Sequence, residues 1–146
     1  MVHGVAVDPG GAHCGVCQYT IVGHEMTIGE CETIDTEKFE PWFEERLNAD
    51  AWSVVVTEQF RLYPWMADSQ RWSSFRTVEI IGSIRWMVRK TGGTVVLIEQ
   101  PASIKKTTQK RCDARGVNKP DGTDRHAHDA WLHAWYYRDS INNRRV

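Results

Sequence analysis

Apolar and polar positions change rhythm several times along the 146 residues, and each change marks an element. Gly4–Val7 is a short apolar run that stops at Asp8-Pro9-Gly10-Gly11, the pattern of a strand entering a turn. Cys14–Val22 and Met26–Ile34 predict two more strands, with His24 in the turn beside Gly23. Three short strands with tight turns predict an antiparallel meander. From Glu37 to Leu47 the period becomes helical: Phe39, Trp42, Phe43 and Leu47 share a face, and Thr36 is the candidate N-cap. Trp52–Thr57 is a continuous β-branched run, as expected of a strand covered on both faces, and it ends at Glu58. An aromatic-rich loop over residues 59–69 follows. Then comes a long helix, Gln70–Lys90, with Phe75, Val78, Ile81, Ile84 and Val88 inward and Gly92-Gly93 as its stop. Thr94–Ile98 reads as a buried strand, Pro101–Lys110 as a short helix and Arg111–Gly122 as a loop. Asp124–Asp139 is the last helix, with Trp131, Leu132, Trp135 and Tyr136 inward, and the tail Asn142–Val146 is expected to fray.

The order β-β-β-α-β-α-β-α-α predicts an α/β fold. Its mixed five-stranded sheet, three strands antiparallel and then two parallel, is flanked by helices. With 41% apolar residues and seven Trp, residues 1–146 suffice for a single domain. No apolar run approaches the roughly 18–20 residues that span a bilayer, and no signal-peptide pattern opens the chain. A cytoplasmic setting in a bacterial cell is expected. Cys14 and Cys17 form a CxxC, but they fall within a predicted strand, where positions three apart face opposite ways. Zinc or redox use of that pair is therefore disfavoured.

Charge changes the picture more than composition does. The net charge is −1, unpromising for a nucleic-acid binder. Yet Glu25–Asp50 holds nine acids and two bases, a block of −7, and the remaining 120 residues sum to +6. The stretch 103–119 contains Lys105, Lys106, Lys110, Arg111, Arg115 and Lys119 against Asp113 alone. Such clustering suits contact with phosphates.

Asp8 and Glu58 each end a predicted strand, and ligands of open α/β sheets gather beyond strand carboxyl ends. His126 and Asp129 share a face of the last helix at i, i+3. Taken singly, Asp8 is an ordinary turn residue and the helical pair are ordinary polar positions near a helix start. Glu58 is harder to explain that way, because a buried Glu needs a partner. Carboxylates gathered from distant segments repel unless a cation neutralises them, and Mg²⁺ binds one or two carboxylates together with substrate phosphate.

Four segments in this order resemble a known family. Gly4-Val5-Ala6-Val7-Asp8-Pro9-Gly10 resembles the opening motif of the RuvC-type Holliday-junction resolvases. Val54–Phe60, with Glu58-Gln59, resembles their second acidic motif. Val96–Thr108 is similar to their later strand and basic stretch, and His126-Ala127-His128-Asp129-Ala130 to their closing helix motif. The resemblance runs from residue 4 to about 138 and implies a ribonuclease H-like fold. It further implies a homodimer, branched or four-way DNA as partner, no small-molecule cofactor and two Mg²⁺ ions per site, with Mn²⁺ able to substitute. Asp8, Glu58 and Asp129 would be catalytic, metal-binding carboxylates. His126 would take the fourth place, as a ligand or to position water. The implied reaction is phosphodiester hydrolysis near the branch point, leaving 5′-phosphate and 3′-hydroxyl ends. The short chain further suggests a phage-encoded member.

For DNA contact the candidates are Lys105, Lys106, Lys110, Arg111 and Arg115, with Phe60 and Tyr63 as rings that stack on bases. Asp124 and His128 lie close enough to His126 to serve as helpers. The rival readings are a less selective debranching nuclease and a non-catalytic architectural protein that binds branched DNA. An actin-like nucleotide-binding domain is discounted, because Gly92-Gly93 follows a helix instead of preceding one.

Overall fold

The structure is a computed structural model that describes residues 1–59 and 68–144. Its elements run β1 (Val2–Asp8), β2 (His13–Val22), β3 (Glu25–Asp35), α1 (Thr36–Ala49), β4 (Val54–Glu58), α2 (Asp68–Arg89), β5 (Val96–Gln100), α3 (Ile104–Ala114) and α4 (Arg125–Arg144). The sheet order is β3-β2-β1-β4-β5. β1–β2 and β2–β3 pair antiparallel, and β1–β4 and β4–β5 pair parallel. This is the mixed five-stranded sheet that the pattern predicts.

Strand alternation divides the core into two clusters, one on each face of the sheet. Val5, Val7, Val16 and Val55 pack with Phe39, Phe43 and Leu47 of α1 and with Ile80, Ile84 and Val88 of α2. Ala6, Cys17, Tyr19, Val54 and Val56 pack with Cys112 of α3 and with Ala130, Trp131, Leu132 and Ala134 of α4. Cys14 and Cys17 fall in different clusters, one on each face. Because side chains alternate, Asp8 shares the side of Ala6, and Glu58 that of Val54 and Val56. Both carboxylates are thereby aimed at α4.

Several expectations need correction. Phe75 and Val78 are 61% and 42% exposed. The buried face of α2 is built on Ile80, Ile81, Ile84 and Val88. At about 100° per residue, Phe75 lies roughly 140° and Val78 roughly 200° round the helix from Ile80. α3 runs on to Ala114 through the segment read as loop, because Thr108 and Cys112 supply a buried face without looking apolar in sequence. Of the tail expected to fray, residues 142–144 belong to α4, with Asn142 Oδ1 2.9 Å from His24 Nδ1, and residues 145–146 lie outside the described residues. Tyr136 is half-buried. Thr36 is the first residue of α1 and not its cap. Its hydroxyl donates to Gly10 O at 2.9 Å, tying the helix to the turn after Asp8.

Candidate active site

Asp8 leaves β1 at the point where that strand ends beside β4. Val7 pairs with Thr57, so Asp8 and Glu58 emerge as neighbours on the α4 side of the sheet. On the next strand Gln100 stands in register with Glu58. α4 crosses above these strand ends. Its first turn is fastened by Asp124, which accepts a hydrogen bond from the Ala127 backbone at 3.0 Å and another from the Thr33 hydroxyl of β3. These donors hold the Asp124 carboxyl below the usual range, so it acts as a cap. The same turn rests on Gly15 of β2, where a Cβ would lie 1.9 Å from His126 O. Only the bare glycine backbone lets α4 come this close.

Lys105, near the start of α3, reaches into the space between the carboxylates. Its Nζ lies 3.0 Å from Glu58 Oε2, 3.4 Å from Asp129 Oδ2 and 3.8 Å from Asp8 Oδ1. Three acidic side chains from three separate elements therefore converge on one cation. His133, four residues past Asp129 on α4, is fully buried. Its Nδ1 lies 2.8 Å from Gln100 Oε1 and its Nε2 3.1 Å from Glu58 Oε2.

The electrostatics are those of a crowded acidic cluster. Burial, followed by the hydrogen bond and charge of Glu58, pushes the Asp8 carboxyl up to about 9 against the opposing pull of Lys105. Burial raises Glu58 as well, but hydrogen bonds with His133 and Asp8 and the Lys105 ammonium outweigh it and hold Glu58 at about 2. Burial and the two facing carboxyls thus favour one proton on the pair. Burial works against the Lys105 charge, yet the three carboxylates raise its pKa.

The sequence-derived candidates separate. Asp8, Glu58 and Asp129 come together. Among the described residues, the group whose ligand atoms lie within 4.8 Å of one another is Asp8, Glu58 and His133. The His126 ring stands 5.4 Å from the ring of His13, which in turn lies 3.3 Å from Asp35. His128 Nε2 contacts Gln109 Oε1 at 2.6 Å, a link between α3 and α4. Lys105 belongs to the carboxylate cluster, whereas Lys106 and Lys110 are exposed. Arg115 makes a two-pronged contact with the buried Asp139 at 3.0 and 3.3 Å, and Arg111 approaches the same carboxylate at 3.9 Å. Both guanidinium groups thus have a structural partner within the fold. Phe60 and Tyr63 lie outside the described residues.

Sequence reasoning missed His133 and Gln100. His133 sits at i+4 from Asp129 and i+7 from His126, which is one helical face. It was obscured by Trp131, Leu132, Ala134 and Trp135 around it, which read as core. Gln100 follows Ile98 at strand spacing, so parity alone turns it toward α4.

No protein-family model matches the chain, and a search of curated proteins finds no match. Solved structures do match. RuvC of T. thermophilus in complex with a Holliday-junction substrate superposes with a TM-score of 0.69 at 16% identity, over 94% of this chain and 96% of that one. The fold is that of the RuvC-type resolvases. The Fowlpox virus resolvase, in complex with substrate Holliday-junction DNA, gives 0.65 at 12% identity over 96% and 99% of the two chains. The yeast mitochondrial Holliday-junction resolvase Ydc2 gives 0.64 at 9% identity over 97% and 84%. In this fold the acidic cluster lies at the carboxyl ends of β1 and β4, beneath α4.

Proposed function

We propose that this protein is a metal-dependent endonuclease that resolves four-way and other branched DNA by hydrolysing phosphodiesters near the branch point. The convergence of Asp8, Glu58 and Asp129 on one cation position carries this reading. The donor set, two carboxylates and an imidazole within 4.8 Å of one another with Asp129 beside them, fits hard or borderline dications. Two divalent ions, Mg²⁺ or Mn²⁺, would supply an activated water and stabilise the attacking and leaving oxygens of an in-line displacement that leaves 5′-phosphate and 3′-hydroxyl ends. In this reading Asp8, Glu58 and Asp129 hold the ions, and His126, one turn before Asp129, orients the attacking water. Lys105 neutralises the cluster in the metal-free chain and contacts the scissile phosphate once ions replace it. The exposed Lys106 and Lys110 on α3 extend positive charge away from the site along the path of a DNA arm.

The proposed assembly is a homodimer that presents one site to each of two opposed strands. Exposed Phe75, Val78 and Trp86 along α2 supply an apolar surface of the kind that self-association covers. A second reading, junction binding without cutting, draws on the way Lys105 already satisfies the carboxylates.

The test is to incubate the purified protein with labelled four-way junction and matched linear duplex, with Mg²⁺, with Mn²⁺ and with chelator, alongside Asp8→Asn. Paired, metal-dependent nicks near the junction centre, absent from the duplex and from Asp8→Asn, are expected. Tight junction binding with no cutting under either metal sinks the nuclease reading and leaves the architectural one. Equal cutting of every branched form keeps the chemistry and replaces resolution with general debranching.

A further inference from the structure

His133 is the one imidazole among the described residues in the compact group with Asp8 and Glu58, and both of its ring nitrogens meet polar side chains although it is fully buried. Gln100 Oε1, 2.8 Å from Nδ1, is a carbonyl oxygen and only accepts. In the ring tautomer that suits this contact, Nδ1 donates to that oxygen. Nε2 then turns a lone pair toward Glu58 Oε2, 3.1 Å away, in a place where His133 has no exposure to water. Two acceptors facing each other in a buried setting need something positive between them. A metal ion held between them supplies it.

The geometry favours the ion. An imidazole whose far nitrogen donates to a fixed side-chain oxygen is the arrangement that orients metal-binding histidines. Octahedral coordination with bonds of about 2.2 Å puts adjacent ligand atoms roughly 3.1 Å apart, which matches the contact between Nε2 and Oε2. Lys105 Nζ, 3.0 Å from the same Oε2, sits on a different helix at the end of a flexible four-carbon stem and can withdraw as an ion enters.

We propose that His133 Nε2 is a metal ligand which, with Asp8 and Glu58, forms a mixed nitrogen–oxygen site that takes a transition dication such as Mn²⁺ in preference to Mg²⁺. A nitrogen donor adds affinity along the transition series that Mg²⁺ does not share. This inference rests on the metal-dependent reading above and names the ligand and the cation class of its site. It also gives the imidazole role to a residue seven positions beyond His126.

The experiment uses the full chain, with Mn²⁺ as the probe. Calorimetric titration gives affinity, and pulsed electron paramagnetic resonance detects nitrogen bound directly to Mn²⁺. The wild-type chain is expected to bind Mn²⁺ at least about tenfold more tightly than Mg²⁺ and to show the nitrogen coupling. His126→Gln, a change on the partly exposed first turn of α4, is expected to keep that coupling. His133→Gln is expected to lose it, with Mn²⁺ affinity falling on the order of 10–100-fold and Mg²⁺ affinity falling less. Mn²⁺ bound without nitrogen coupling in the wild type, or coupling that disappears in His126→Gln, overturns the role of His133 while the metal-dependent reading stands. A chain that binds no Mn²⁺ overturns both. The wild-type and His126→Gln measurements decide the matter even if His133→Gln does not fold.

Discussion

The shared proton of Asp8 and Glu58 makes the acidic cluster an energetic cost to the metal-free fold. Asp8, raised to about 9, holds its proton in the folded chain over a range in which the unfolded chain has released it. Stability therefore falls as pH rises from about 4 toward 9. Glu58, held at about 2, acts the other way: its contribution is present above its ordinary value near 4.5 and is lost as pH falls toward 2. Asp8→Asn keeps a hydrogen-bond donor toward Glu58 and has nothing to ionise. Without metal at pH 8 this variant is expected to be more stable than wild type by about 1–3 kcal/mol, several degrees in Tm for a chain of this size. It should also have lost the decline between pH 5 and 8.5, and added Mn²⁺ should no longer raise its Tm as it does for wild type. Thermal melts across that range check this, and parallel slopes for the two proteins would contradict it.

At the scale of elements, the seating of α4 on β2 controls the site. A Cβ at Gly15 would come within 1.9 Å of His126 O, 2.2 Å of its carbonyl carbon and 2.8 Å of Ala127 N. All three are backbone atoms, so no side chain can swing aside, and the first turn of α4 must retreat. Asp129 lies within one turn of that contact and His133 one turn further on. Gly15→Ala is expected to cost about 1–3 kcal/mol of stability through overpacking. Cleavage should fall more steeply, since a displacement near 1 Å at a reacting centre costs on the order of a hundredfold. Melting and single-turnover cleavage on the same preparation check this, and unchanged values in both would show that α4 is not held here. The opposite end of α4 is anchored by Asp139, which gathers Arg115, Arg138 and Arg111, so the helix is pinned at both ends of its span over the sheet. That explains why α3 and α4 persist through stretches whose charge made them read as loop and tail.

For the whole molecule, the sheet separates charge as well as core. The acidic block Glu25–Asp50 forms the edge strand β3 and helix α1 on the α2 face, whereas the basic run begins after the other edge strand, β5, and forms α3 on the α4 face. A polyanion approaching the site thus meets Lys106 and Lys110 on one side and repulsion on the other, which orients it. The exposed Trp86, Phe75 and Val78 on α2 belong to the helical layer on the opposite face of the sheet from α4. If the proposed dimer forms through this face, Trp86→Glu shifts it to monomer in sedimentation at micromolar concentration, with helix content unchanged by circular dichroism. A wild-type chain that sediments as a monomer would remove the dimer from the reading.

The sequence by itself determined the element order, because hydrophobic period responds to local geometry: alternation for strands and a 3.6-residue repeat for helices. It also determined that Asp8 and Glu58 each end a strand, since strand ends are local properties, whereas the pairing that makes those strands neighbours belongs to the fold. Tertiary structure decided which charges are partners. Lys105 and Arg115 look alike in a basic run, yet one points into the acidic cluster and the other pairs with Asp139, because direction depends on how α3 docks against α4. His133 reads as one more residue of a buried face until β4 and β5 bring Glu58 and Gln100 beneath it. A side chain's chemistry is written in its own residue, but its partners come from segments 33 and 75 positions away, and only the folded chain brings them within bonding distance.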